Sequence, residues 1–206
     1  MPYDYSHRKA RKTVRITDAN GTPLCGRTVR AEMKKHEFLF GAGLFSVIPY
    51  ASGEMTDPAQ RERFETRYEA WKELMNVCTL PFYWGRFEPL PGRPRLEQTM
   101  AGAKWLKERG VTLKGHPLCW HTDTAPFLLS MSNEEILKAQ VDRIHRDASY
   151  FAGVIDMWDV INEVVIMPVF DKYDNAITRI CKEYGRIRLV KKVFDAANIK
   201  CMVTME

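Results

Sequence analysis

Five apolar stretches, each separated from the next by a segment with helical spacing, constrain this chain more than any single residue does. Phe38–Phe45, Asn76–Phe82, Thr112–Trp120, Val154–Glu163 and Lys200–Met205 read as strands bounded by turn or capping residues. Between the first two, Asp57 precedes Pro58, a capping residue before proline at the first helical position. Phe64, Tyr68, Trp71 and Met75 then recur at helical spacing. Leu96–Arg109 predicts a second helix, stopped by Gly110. Ser132 with Glu135 three residues on forms a capping box for a helix reaching about Tyr150. One or two helices fill 174–197. Strands alternating with helices predict an α/β fold with a parallel sheet and right-handed crossovers.

Residues 1–36 lie outside this rhythm. Thr13–Thr17 alternates like an exposed strand, Asp18-Ala19-Asn20-Gly21 signals a turn, and Thr28–Met33 is the expected hairpin partner. The pattern therefore predicts an N-terminal β appendage over 1–36 and a main domain over 37–206.

Composition excludes several classes. With 206 residues, 45% hydrophobic and 28% charged, the chain is long enough for one well-packed domain and is neither disordered nor fibrous. The formal charge of +5 is modest, and the basic run Arg8–Lys12 reads as a solvated terminus, so no nucleic-acid partner is expected. No stretch approaches the roughly 18 apolar residues of a membrane helix, so no membrane partner is expected. The opening Met1–His7 lacks the apolar core of a signal peptide, which leaves a chain kept inside the cell or one whose leader has been removed. The five cysteines are scattered without a Cys-x-x-Cys spacing and fit free thiols better than a disulfide framework.

The residues with chemical potential gather at two strand ends. The third strand finishes in Gly115-His116-Pro117-Leu118-Cys119-Trp120-His121-Thr122-Asp123. Strand alternation places His116, Leu118 and Trp120 on one face. An indole stacks on the C–H face of a sugar, while His116 and Asp123 hydrogen-bond hydroxyls, so a polyhydroxylated ligand suits this set. The fourth strand ends in Trp158-Asp159-Val160-Ile161-Asn162-Glu163. In α/β folds, ligands bind at the carboxyl ends of strands. Glu163, emerging from an apolar run, is a candidate general acid whose pKa burial would raise. Asp156 and Asp159 read as structural, paired with arginine or backbone groups. A divalent metal held by His116 and His121 with Asp123 or Glu163 is the rival use of the same residues. A spacing of five on a strand points the two rings to opposite faces, and neither a metal nor a cofactor is expected.

His116-x-x-x-Trp120-His121 followed by Trp158-Asp159-Val160-Ile161-Asn162-Glu163 resembles glycoside hydrolase family 10, the endo-β-1,4-xylanase family. Trp84-x-x-x-Glu88-Pro89 with Pro91-Gly92 is similar to the family's segment after its second strand, and Phe40-Gly41 to its first strand. The resemblance spans roughly 36–206. It implies a (β/α)₈ barrel and retaining hydrolysis of a β-1,4-linked polysaccharide or oligosaccharide of plant type. It assigns Glu163 as general acid/base and Asn162 as its neighbour on the sugar's 2-hydroxyl. His116 and Trp120 would line the subsite beside the scissile bond, with Trp84 among the substrate-binding residues. The family is typically secreted.

Two departures from the family pattern matter. Where the family has Glu-Asn-x-x-Lys on its second strand, this chain has Thr79-Leu80-Pro81-Phe82-Tyr83. Asp123 stands where glutamine is common. Recognition of the second sugar must differ, with Tyr83 stacking where a lysine would bond. The family's nucleophile is a glutamate on the seventh strand, and a barrel of this type runs to about 250 residues. The 206 residues here accommodate about five strands. The expectation is an incomplete barrel whose nucleophile lies beyond the chain, inactive alone, from a truncated coding sequence. A half-barrel pairing with another chain, or a non-catalytic carbohydrate-binding pseudoenzyme, is the alternative.

Overall fold

The structure, a computed structural model, describes residues 4, 6, 9–34, 37–155 and 157–197. It divides into two compact units, Met1–Phe38 and Leu39–Glu206. The first holds the expected turn but not the expected hairpin. Asp18 Oδ1 accepts from the backbone N–H groups of Asn20 and Thr22, and Thr17 bridges Pro23. Leu24 N–H donates to Ile16 O, so the turn pairs with the residues just after it rather than with Thr28–Met33. A bridge this close uses the shortest loop and needs no spacer.

The second unit carries four parallel strands in the order β1-β2-β3-β4, namely β1 (Gly41–Gly43), β2 (Val77–Pro81), β3 (Thr112–His116) and β4 (Met157–Trp158). Helices follow each strand: α1 (Val47–Ala51) and α2 (Pro58–Leu74), α3 (Trp84–Phe87) and α4 (Leu96–Lys107), α5 (Asn133–Tyr150), then α6 (Ala176–Tyr184) and α7 (Arg186–Ala197). The expected fifth strand, Lys200–Met205, lies outside the described residues, as do Asp156 and Cys201.

The helix starts follow local chemistry. Asp57 accepts from Ala59 N–H with Pro58 at the first helical position. Ser132 and Glu135 close the capping box of α5 from both sides, and Asn175 caps α6 through Thr178 N–H. The buried faces are Phe64 and Tyr68 of α2, Ala103 and Leu106 of α4, Ile136 and Ile144 of α5, and Ile177 and Ile180 of α6. Against them lie Cys78 and Leu80 of β2 and Leu113 of β3.

The fourth strand is shorter than its apolar run predicts. The run suggests 154–163, but the ladder covers only Met157–Trp158, paired with Lys114 and Gly115. β3 stops at His116, and Pro117 has no N–H to continue a ladder. Past Trp158 the pairing is irregular, with Asp159 N–H on Gly115 O, Leu118 N–H on Asp159 O and Asn162 N–H on Cys119 O. Trp158 is fully buried and lies across Gly115: a Cβ built there would meet its ring carbons at 2.3 Å. Phe82, at 4.7 Å between ring centroids, and Phe151, at 6.2 Å, enclose the indole.

Gly115→Ala is therefore expected to overpack this layer and cost at least about 1–3 kcal/mol. Urea unfolding would measure it; an unchanged midpoint would contradict the packing described.

Candidate active site

The site assembles where β2, β3 and β4 end. Lys114 and His116 alternate onto the same face of β3, and both reach Asp159 just past β4. His116 Nδ1 shares a 2.6 Å hydrogen bond with Asp159 Oδ2, and Lys114 Nζ lies 2.8 Å from the same oxygen. The Asp159 side chain is 5% exposed, and Lys114 and His116 both contact it. Because an ionised carboxylate only accepts, Nδ1–H donates in this pair.

Beyond Pro117 the chain leaves the sheet. The alternation that would set Leu118 beside His116 and Trp120 fails, and Leu118 is fully buried. Trp120 still returns to within 6.3 Å of the His116 ring, and Tyr83 stands edge-on to His116 at 5.7 Å and tilted to Trp120 at 5.6 Å. Tyr83, His116 and Trp120 thus form one cluster. Asp123 is drawn aside: Arg86 Nε lies 2.9 Å from its Oδ2, and the guanidinium sits over the Tyr83 ring.

Trp84 does not join the cluster, contrary to expectation. It is buried, donates from Nε1 to Glu88 Oε2 at 3.1 Å, and lies beneath the Arg143 guanidinium at 4.8 Å. An aromatic side chain beside a loop reads as a ligand platform; the partners that bury it come from elsewhere in the fold.

Glu163 is reached through an irregular loop rather than from a strand end. Asn162 N–H donates to Cys119 O at 2.9 Å, tying this loop to the one after β3. Glu163 adopts φ 50°, the left-handed region uncommon for a non-glycine residue. Its Oε2 accepts from Trp120 Nε1 at 2.7 Å. The side chain is 42% exposed, not buried as its apolar run implies, because β4 ends five residues earlier. Asn162 is half-buried beside it.

His121 is fully buried, 4.5 Å from the Phe170 ring, and neither ring nitrogen has a hydrogen-bond partner. Its Nε2 lies 3.9 Å from Glu163 Oε2. Burial lowers its pKa, and the Glu163 charge raises it less. Among the described residues, no group of three or more His, Cys, Asp or Glu side chains is placed to hold a metal ion. Cys119 is buried and its thiol is pushed up to about 12, Cys78 to about 11, so both stay protonated. Cys25, Cys78, Cys119 and Cys181 are free. No helix among the described residues is long and apolar enough to cross a membrane.

Arg143 of α5 has no counterpart in the sequence reading. Its side chain is 2% exposed; it donates to Leu118 O at 2.9 Å and to Phe82 O, and pairs with Asp147 at 3.2 Å. Gln140 Nε2 also donates to Leu118 O. The only local signal is an arginine on the apolar side of α5, three residues after Gln140.

The glycosyl hydrolase family 10 model matches residues 55–197, more than half of the chain. The chain belongs to glycosyl hydrolase family 10. Endo-1,4-beta-xylanase A of Humicola insolens is 30% identical over 126 residues, 55% of this chain and 34% of that protein. A family 10 structure from Paenibacillus barcinonensis superposes with a TM-score of 0.59 at 15% identity, covering 78% of this chain and 47% of its own. Xylanase 10C of Cellvibrio japonicus, solved as a mutant with xylopentaose, gives 0.56 at 18% identity, over 68% of this chain and 30% of its own. The chain spans about a third of the Humicola relative's length. The family fold is a (β/α)₈ barrel, and β1–β4 with their helices form a part of one.

Two measurements check the site. Arg143→Met removes the donor to the Phe82 carbonyl and leaves Asp147 with Arg146 as its one cation, and is expected to cost about 3–5 kcal/mol in urea unfolding. A loss below about 1 kcal/mol would contradict the clamp. His121, with its folded pKa depressed, binds a proton more readily unfolded. Its contribution is present above its unfolded value of about 6.5 and is lost as pH falls through the folded value. Wild-type stability should fall relative to His121→Phe below about pH 6.5; parallel profiles would contradict this.

Proposed function

We propose that this chain carries the acid/base half of a retaining endo-β-1,4-glycanase, and that Glu163 is its general acid and base. The observation that carries the reading is the charge state of the neighbourhood. Four described carboxylates near the site are matched by cations: Asp159 by Lys114, Asp123 by Arg86, Asp147 by Arg143 and Arg146, and Glu88 by Arg146. Glu163 instead accepts from a neutral indole N–H and stands partly open. Its proton can leave and return without breaking an ion pair.

In the proposed cycle, Glu163 donates its proton to the leaving glycosidic oxygen as the C–O bond breaks. A second carboxylate, about 5 Å away, attacks the sugar carbon and forms a glycosyl-enzyme. Glu163, now a carboxylate, takes a proton from water. That water attacks the same carbon, releases the second carboxylate and restores the original configuration. With Oε2 held by Trp120, Oε1 is the oxygen that carries the proton. His116, oriented by Asp159, and Asn162 bond sugar hydroxyls, and Trp120 and Tyr83 supply ring surface. The reading places the second carboxylate outside residues 1–206. The substrate is taken to be a xylan-type oligosaccharide, by likeness to the family's xylanases and the xylopentaose-bound neighbour.

Xylotetraose titrated into the chain should bind, and Trp120→Ala should weaken it by about tenfold or more, ~1.4 kcal/mol. Absence of binding, or affinity untouched by the substitution, would overturn the site. No reducing sugar should be released from xylan by residues 1–206 alone; release would overturn the placement of the nucleophile.

A further inference from the structure

We infer that the hollow beside Tyr83 is a carboxylate-accepting subsite, so that the preferred substrate carries uronic acid branches on its β-1,4 backbone. The inference rests on the reading just given and names the substrate class within it. The hollow has a volume of about 230 Å³ and is lined by Phe45, Tyr83, Phe87, Arg86, Arg95 and Thr99, among others. That is smaller than the ~300–1,000 Å³ of sites for drug-sized molecules, and suits a single pyranose ring.

Its charged lining is all of one sign. Arg86 and Arg95 line it, and no carboxylate does. Their partners stand outside the lining: Arg86 Nε contacts Asp123 Oδ2 at 2.9 Å, and Arg95 Nη2 contacts Glu54 Oε2 at 2.5 Å. Each contact occupies one nitrogen of a guanidinium that has five N–H donors in a fixed plane. Both terminal nitrogens of Arg86, and Nη1 and Nε of Arg95, are left for a ligand. Neither Asp123 nor Glu54 is among the residues that line the hollow. A planar ligand carboxylate matches such forks better than a hydroxyl does.

The hollow and the sugar site share one ring. Tyr83 faces His116 and Trp120 on the candidate site and also lines the hollow. A backbone sugar resting on Trp120 can thus send a branch past Tyr83. Phe45, 43% exposed and edge-on to Tyr83 at 6.1 Å, offers an apolar wall for the branch's C–H surface. The approach of α3 to the Asp123 loop depends on Gly85, where a Cβ would fall 2.5 Å from Asp123 Oδ1 and 2.9 Å from Thr124 O. From Thr79 to Tyr83 the chain has no acid, amide or lysine, and Leu80 and Phe82 in that stretch are buried. Charge recognition in this region comes from the arginines, and therefore from an anionic branch.

Calorimetric titration of the 206-residue chain tests this with four probes. They are unbranched xylotetraose, the same backbone with one glucuronic acid branch, the same branch with its carboxyl reduced to glucose, and free glucuronate. The acid-branched probe should bind at least about tenfold more tightly than the unbranched and reduced probes. Arg95→Leu should abolish that preference while leaving unbranched affinity unchanged, and Arg86→Leu should abolish it too. Equal affinity for acid and reduced branches, or a preference surviving both substitutions, overturns the inference and leaves the glycanase reading standing. Free glucuronate binding as tightly as the branched probe assigns the hollow to a free acid and also overturns it. Failure of every xylo-oligosaccharide to bind overturns both.

Discussion

The buried guanidinium of Arg143 is the constraint on which the site depends. It reaches inward from α5 to the carbonyls of Phe82 and Leu118, the backbone just past β2 and just past β3. Those segments carry Tyr83 on one side and Trp120 on the other. A buried cation is costly unless paired, and Asp147 one turn along α5 supplies the pair. Burial lowers the Arg143 pKa and Asp147 opposes it, and an arginine stays charged under both. Arg146 extends the network from Asp147 to Glu88, whose other contacts are Trp84 and the backbone of Gly92. The strand ends are thus held from the helical layer.

That division of labour explains the electrostatics of the site. Lys114 and Asp159 neutralise each other beneath His116, and Arg86 and Asp123 do so beside Tyr83. These pairs fix the rings beside them. Glu163 is treated differently, with a neutral donor on one oxygen and a neutral, desolvated His121 nearby. The Trp120 bond orients the carboxylate.

Much of the fold was legible because it rests on local chemistry. The starts of α2 and α5 were readable from Asp57-Pro58 and from Ser132 with Glu135, since caps involve residues within one turn. The cores of β2 and β3 were readable from their apolar runs. The failures share a cause, which is that the deciding partner is distant in sequence. β4 shrinks because β3 stops at Pro117, and an apolar run reports burial without reporting a neighbour. Val160 and Ile161 are buried as expected but not in a strand. Trp84 is claimed by Glu88 and by an arginine 59 positions on, which no local pattern announces. The site was legible as a set of residue types and not as contacts: nothing local says that Asp159 turns to Lys114, or that Arg86 occupies Asp123.

The early end of β4 also sets where Glu163 can stand. Had the ladder continued to residue 163, alternation would have fixed the side chain to one face of the sheet, at a distance from Trp120 set by strand spacing. Released after Trp158, the loop is instead pinned by Asn162 N–H on Cys119 O, and the next residue turns through a positive φ. Positive φ at a non-glycine residue costs of order 1–3 kcal/mol and persists only where surrounding contacts determine it. Here the contacts are the Asn162 bond on one side and the Trp120 indole on the other. Both arise from the loop after β3, whose base is held by Arg143. The position of the proposed acid is therefore inherited from the third strand end more than from the run that carries it.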